Sequence, residues 1–139
     1  MSHKSEIKVR GFHLDIYQHV NNARYLEFLE EARWEYLEET GDIAFFQSLG
    51  LAWVIVNINI NYRAAATMGQ TLEIDTGLSK LGGKSAVFHQ QITVKGTDIV
   101  VADADITFVL MDQKTGKAIP IEAQIRDRMA QHLTDSEEV

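Results

Sequence analysis

The spacing of apolar and polar positions changes period along the chain. Over residues 5–13, Ile7, Val9 and Gly11 alternate with Lys8 and Arg10, which predicts a short strand running into Phe12-His13. From Asn22 to Glu39 the spacing lengthens. Tyr25/Leu26, Leu29, Ala32 and Tyr36/Leu37 recur at three and four residues, with Glu27, Glu31, Glu35 and Glu38 opposite, so a helix of about five turns is expected. Gly41 stands where a helix commonly ends on a left-handed residue, and Ile43 to Leu49 reads as a short helical connector before Gly50.

Period two then returns. Leu51 to Tyr62 sets Val54, Val56, Ile58, Ile60 and Tyr62 on one face and Asn57, Asn59 and Asn61 on the other. Gln70–Lys80 and Lys84–Val94 are two further strands joined at Gly82-Gly83. After Gly96, Ile99–Asp112 carries Val100, Ala102, Ala104, Ile106, Phe108 and Leu110 in register, with Asp103 and Asp105 facing the other way. Pro120 can open a final helix whose stripe is Ile121, Ile125, Met129 and Leu133. Strand, long helix, four strands, helix is an α+β order, without the alternation that a parallel doubly wound sheet requires. It predicts one domain over residues 1–139, a mainly antiparallel sheet of about five strands around the long helix, and a frayed acidic tail at 134–139.

Composition agrees with a folded domain and narrows its chemistry. The 139 residues are 45% hydrophobic, with nine glycines and one proline. The absence of cysteine removes disulfides, thiolate metal sites and cysteine nucleophiles, and suits a cytoplasmic setting. A net charge of −7 argues against a nucleic-acid partner. No apolar run approaches a membrane span, and the first residues carry no apolar leader segment, so a soluble cytoplasmic protein without membrane partners is expected. An anionic ligand would have to be met by a few local cations.

Polar groups gather in Asp15-Ile16-Tyr17-Gln18-His19-Val20-Asn21-Asn22-Ala23-Arg24-Tyr25, the loop just before the long helix. A helix start offers unpaired N–H groups and a partial positive charge, which suits an oxyanion. Asp15 would then activate water or attack a carbonyl itself, with the N–H groups near Asn22 and Ala23 on the carbonyl oxygen. The same residues have simpler uses: Asp15 as a turn residue, Asn21 or Asn22 as the helix cap, His19 packed on its neighbours. Spacing alone leaves both open. No metal-ligand spacing is present, and no cofactor is expected.

The run Arg10-Gly11-Phe12-His13-Leu14-Asp15-Ile16-Tyr17-Gln18-His19-Val20-Asn21-Asn22-Ala23-Arg24-Tyr25-Leu26-Glu27-Phe28 resembles the signature of hotdog acyl-CoA thioesterases of the 4-hydroxybenzoyl-CoA type, nearest to their bacterial long-chain branch. The resemblance continues through Val56–Arg63, Gly83-Lys84-Ser85 and Val101–Val109. It implies a sheet wrapped around the long helix, homodimers or homotetramers with a continuous sheet across an interface, and active sites between subunits. By the same resemblance, Asp15 matches the catalytic aspartate and Asn22 the helix-start N–H on the thioester carbonyl. His19 and Tyr25 match pocket residues, with Asn21 beside them. Arg63, Lys84 and Ser85 match positions near the CoA chain. The branch usually follows its tyrosine with two arginines and a proline, whereas this chain has Arg63-Ala64-Ala65, losing one cation.

Medium- to long-chain fatty acyl-CoA is therefore the expected substrate. The alternatives are a noncatalytic acyl-CoA-binding module, and a thioesterase acting on aromatic acyl-CoA or on acyl carrier protein. A hotdog dehydratase would need a differently placed histidine and acid pair, which the sequence lacks. Phe28, Trp53 and Phe88 fit either an acyl channel or the core.

Overall fold

A computed structural model describes residues 2–134, so residues 135–139 of the expected acidic tail lie outside the described residues. The elements are β1 (Ser2–Lys8), a 3-10 turn (Gly11–His13), α1 (Asn22–Thr40), α2 (Asp42–Ser48), β2 (Leu51–Tyr62), β3 (Thr71–Leu81), β4 (Ser85–Val94), β5 (Val100–Asp112), β6 (Lys117–Ile119) and α3 (Ala123–Ala130). The strands form one antiparallel sheet in the order β1-β3-β4-β5-β2, with β6 added on β5. This is the expected α+β layout with one short strand more. Its three residues are too few to show an alternation in the sequence.

Helix α1 forms where its period placed it. Tyr25, Phe28, Leu29, Ala32 and Tyr36 are buried on the sheet, while Leu26 is turned outward and Phe28 fills the stripe. Burying Phe28 and Leu29 contributes on the order of 2 kcal/mol each. The helix ends on Gly41 at φ 78°, whose N–H returns to the Glu38 and Leu37 carbonyls. Arg128 of α3 holds the next turn in place: its Nε donates to buried Asp42 at 2.7 Å and its Nη2 to the Thr40 carbonyl at 3.1 Å.

A polar tie crosses the inner face of the sheet. Gln90, fully buried on β4, donates to the Leu29 carbonyl at 3.0 Å and to Thr76 Oγ1 at 2.9 Å, and accepts from Arg33 Nη1 at 3.0 Å. Helix and sheet are thus set in one mutual position by hydrogen bonds as well as by apolar contact.

Two expectations need correction. A bulge at Val56 shifts the register of β2, so the inward residues are Trp53 and Ile55, then Ile58, Ile60 and Tyr62. Val54 pairs with Val109 on the outer face, and strict alternation across the whole strand fails at the extra residue. The final helix begins at Ala123 rather than at Pro120, because the buried Ile121 donates its N–H to the Gly83 carbonyl at 2.7 Å and is held against the β3–β4 hairpin.

Strand β2 has β5 on one side and no strand on the other among the described residues. Along it Ile55, Val56, Ile58 and Tyr62 are 37%, 55%, 39% and 47% exposed, a long apolar edge. Helix α1 packs mainly towards β1 and β3 and meets β2 at Tyr62.

Replacing Gln90 by Leu keeps the volume but leaves Arg33, Thr76 and the Leu29 carbonyl short of a partner. Urea unfolding is expected to show a loss of about 2–4 kcal/mol, and a loss below about 0.5 kcal/mol would show that the tie is dispensable.

Candidate active site

The loop before α1 is closed on itself. Leu14 bridges Val20, the Asp15 N–H donates to the His19 carbonyl at 2.9 Å, and the Gln18 N–H donates to the Asp15 carbonyl at 3.0 Å. Gln18 takes the left-handed φ of 63° that this turn needs, at a strain cost of order 1 kcal/mol. Asp15 Oδ1 accepts the Tyr17 N–H at 2.8 Å, so the carboxylate shapes the turn through one oxygen. Oδ2 has no hydrogen-bond partner among the described residues.

Three segments fix where that loop sits. The Asn21 N–H donates to the His13 carbonyl and the Val20 N–H to the Ala66 carbonyl, both at 2.9 Å. Tyr25, buried on α1, accepts the Ala66 N–H on its hydroxyl at 3.1 Å. Tyr62, at the end of β2, donates its hydroxyl to the Asn22 carbonyl at 3.1 Å. The rings of Tyr25 and Tyr62 lie 5.6 Å apart, so the helix start, the end of β2 and the Ala64–Ala66 segment form one unit.

Asn21 caps the helix, its Oδ1 accepting the Ala23 N–H at 2.9 Å. That corrects one expectation: the Ala23 N–H is already used. The Asn22 N–H has no partner among the described residues and remains available to an oxyanion.

An open pocket of about 370 Å³ collects Asp15, His19, Asn22, Tyr25 and Arg63. His19 is exposed at its rim. Burial pushes the Tyr25 hydroxyl above its ordinary range, the Ala66 N–H partly opposing it, so this group is neutral around pH 7. Val20, Tyr62, Ala64 and Ala65 also line the pocket, and sequence reasoning missed them. Tyr62 was legible as an inward strand residue, but nothing local shows that β2 ends against the start of α1.

Three expected site residues are elsewhere. Asn21 serves the cap and is not on the pocket wall. Lys84 and Ser85 sit at the β3–β4 hairpin, at the far end of the sheet. Ser85 pairs with Val109 and so stands level with Val54, eight residues along β2 from Tyr62, roughly 26 Å at about 3.3 Å per residue. One chain does not bring them to Asp15. Phe28 and Phe88 are buried in the core, while Trp53 and Phe88 also border a separate cleft with Arg33, Trp34 and Ile55.

Residues 10–129 match the thioesterase-like superfamily. The chain belongs to that superfamily. It is 52% identical over 128 residues to the Escherichia coli long-chain acyl-CoA thioesterase FadM, covering 92% of this chain and 97% of the relative. To the acyl-CoA thioesterase YbgC of Haemophilus influenzae it is 30% identical, covering 73% and 74%. Among solved structures, YbaW, a probable thioesterase from Escherichia coli, superposes with a TM-score of 0.89 at 50% identity, covering 94% of this chain and 98% of that one. A 1,4-dihydroxy-2-naphthoyl-CoA thioesterase from Synechocystis shares the fold at TM-score 0.81 and 17% identity. The fold is the hotdog, and this thioesterase-like chain is a thioester hydrolase.

A buried histidine braces the loop before α1 from behind. His13 Nδ1 accepts the Arg10 N–H at 2.9 Å, and its ring meets Phe28 edge-on. Burial, with Arg24 and Arg10 nearby, pushes its pKa below 6.5, while Glu27 opposes the shift. Above about pH 6.5 folded and unfolded chains both hold this ring neutral. Below it the unfolded chain takes up a proton that the folded chain refuses, so stability falls with pH. Melting temperatures at pH 7.5 and 5.5 are expected to show this drop, and His13→Asn, which keeps an acceptor for Arg10, is expected to reduce it; an unchanged drop would remove His13 from the cause.

Proposed function

We propose that the chain hydrolyses medium- to long-chain fatty acyl-CoA to free fatty acid and CoA at the Asp15 pocket. The observation that carries this reading is that a carboxylate with one unengaged oxygen and a helix-start N–H without a partner open on the same pocket. The similarity to FadM supports the long-chain preference.

In this mechanism Asp15 Oδ2 takes a proton from water as the water oxygen attacks the thioester carbonyl carbon. The oxygen charge develops against the Asn22 N–H at the positive end of α1. The tetrahedral intermediate then expels the CoA thiolate, which takes up the proton. In the covalent variant Asp15 attacks, the thiolate leaves, and water hydrolyses the mixed anhydride. His19 orients water or substrate at the rim, and Tyr25 shapes the wall. No resident cofactor takes part.

Two chains complete the site in this reading. The unpaired apolar edge of β2 supports a homodimer with a continuous sheet, which can pair again into a homotetramer. An antiparallel β2–β2 pairing would carry Lys84 and Ser85 of the second copy towards Asp15 of the first, where they would meet CoA.

A second reading rests on the Tyr17–Asp15 bond: Asp15 is then only a turn residue, in a module that binds acyl-CoA without turnover. Asp15→Asn separates the two, because asparagine keeps Oδ1 for the Tyr17 N–H but supplies no base. Thiol release from palmitoyl-CoA is expected to fall about a hundredfold or more with folding intact. Unchanged turnover would assign Asp15 to the turn. For the shared site, mixing Asp15→Asn and Lys84→Glu subunits is expected to restore turnover to about a quarter of the wild-type sites, and a mixture no better than its components would oppose a site built from two chains.

A further inference from the structure

Among the described residues, the residue after Tyr62 is the one arginine or lysine on the wall of the Asp15 pocket, and the structure does not leave it to wander. Arg63 follows β2, its backbone N–H held by the Val101 carbonyl at 2.8 Å. Its guanidinium is gripped from one side by Asp103 on β5: Nε meets Oδ2, and Nη2 lies 3.3 Å from Oδ1. Asn61 Nδ2 reaches the same Oδ1 at 3.3 Å. Asp103 is the more sheltered partner, its side chain 21% exposed against 54% for Arg63.

A side-on grip of this kind uses the Nε–Nη2 edge of the guanidinium and leaves the Nη1–Nη2 end available. Nη1 makes no hydrogen bond among the described residues. The pair therefore fixes the plane and reach of the arginine without consuming its outer donors, and Ala64 and Ala65 beside it put no bulk in the way. We propose that Asp103 is a positioning residue: it holds Arg63 across the pocket mouth so that the free end of the guanidinium binds a phosphate of CoA. This rests on the reading of Arg63 as a CoA contact and extends it to a residue that touches no substrate.

Two features make positioning matter in this chain. Within one chain the pocket wall carries no second arginine or lysine among the described residues, Ala64 standing where the resemblance places another arginine, and a flexible side chain would give up rotamer freedom on binding that an already fixed one does not. The pair is also ionised throughout the neutral range. The hydrogen bond from Arg63 is the largest influence holding the Asp103 carboxyl below the usual carboxylate range, partly opposed by burial and aided by Asn61.

The test is calorimetric binding of CoA alone to wild type, Asp103→Asn, Asp103→Glu, Arg63→Ala and the Asp103→Asn/Arg63→Ala double variant. Asp103→Asn is expected to weaken CoA binding about five- to tenfold, Asp103→Glu to stay within about twofold of wild type, and Asp103→Asn to add nothing when Arg63 is already alanine. Steady-state rates then separate positioning from simple strand support. KM for decanoyl-CoA should rise with kcat nearly constant, while decanoyl-N-acetylcysteamine, which carries no phosphate, should be hydrolysed by Asp103→Asn as by wild type. Unchanged CoA affinity in Asp103→Asn, or an equal loss on both thioesters, would overturn the proposal. If wild type turned over no acyl-CoA, the thioesterase reading would fail on its own, and the calorimetric comparison would still decide the role of Asp103.

Discussion

The start of α1 cannot move far, because hydrogen bonds from separate parts of the chain converge on it. The His13 carbonyl takes the Asn21 N–H, the Ala66 backbone engages both Val20 and Tyr25, and the Tyr62 hydroxyl meets the Asn22 carbonyl. Each bond contributes on the order of 1 kcal/mol, but together they decide which backbone N–H faces the pocket and where the Asp15 loop is anchored. Behind them, the packing of Tyr25, Phe28 and Leu29 and the Gln90 tie fix the helix on the sheet. A site that needs a carboxylate and an N–H on opposite sides of one carbonyl depends on such immobility, since orientation is lost with small displacements.

The electrostatics follow a similar division of labour. A chain of net charge −7 does not attract an anionic substrate through its overall field. The helix terminus supplies partial positive charge where oxygen charge would develop, and Arg63 supplies a full charge at the rim of the same pocket. Its pairing with Asp103 neutralises that charge at long range while leaving directional donors at short range, which favours recognition by contact over attraction by field.

Much of this was legible in the amino-acid order. The 3.6-residue period of α1, the left-handed stop at Gly41 and the period-two strands gave the α+β layout, because each reflects local burial on one face. The run from Asp15 to Tyr25 marked a candidate site through its resemblance, and the structure gathers Asp15, His19, Asn22, Tyr25 and Arg63 on one pocket. What was not legible depended on register and on distant pairing. The Val56 bulge exchanges which residues of β2 face inward, and a single inserted residue leaves no mark in composition. Ile121 ends up under the β3–β4 hairpin instead of opening a helix. The choice of Asn21 over Asn22 as cap decides which N–H stays available, and neighbouring asparagines cannot be told apart by type. The placement of Lys84 and Ser85 far from Asp15 follows from the sheet order, which no local pattern encodes.

The central claim is that the Asn22 N–H and Asp15 act on the two sides of one carbonyl. A crystal structure with a 2-oxoalkyl-CoA thioether, whose ketone stands in for the thioester carbonyl, tests it most directly. The expected result is a ketone oxygen about 3 Å from the Asn22 nitrogen, with Asp15 Oδ2 facing the carbonyl carbon directly or through one water. A ketone seated away from the start of α1, with Asp15 facing only its own turn, would contradict the account.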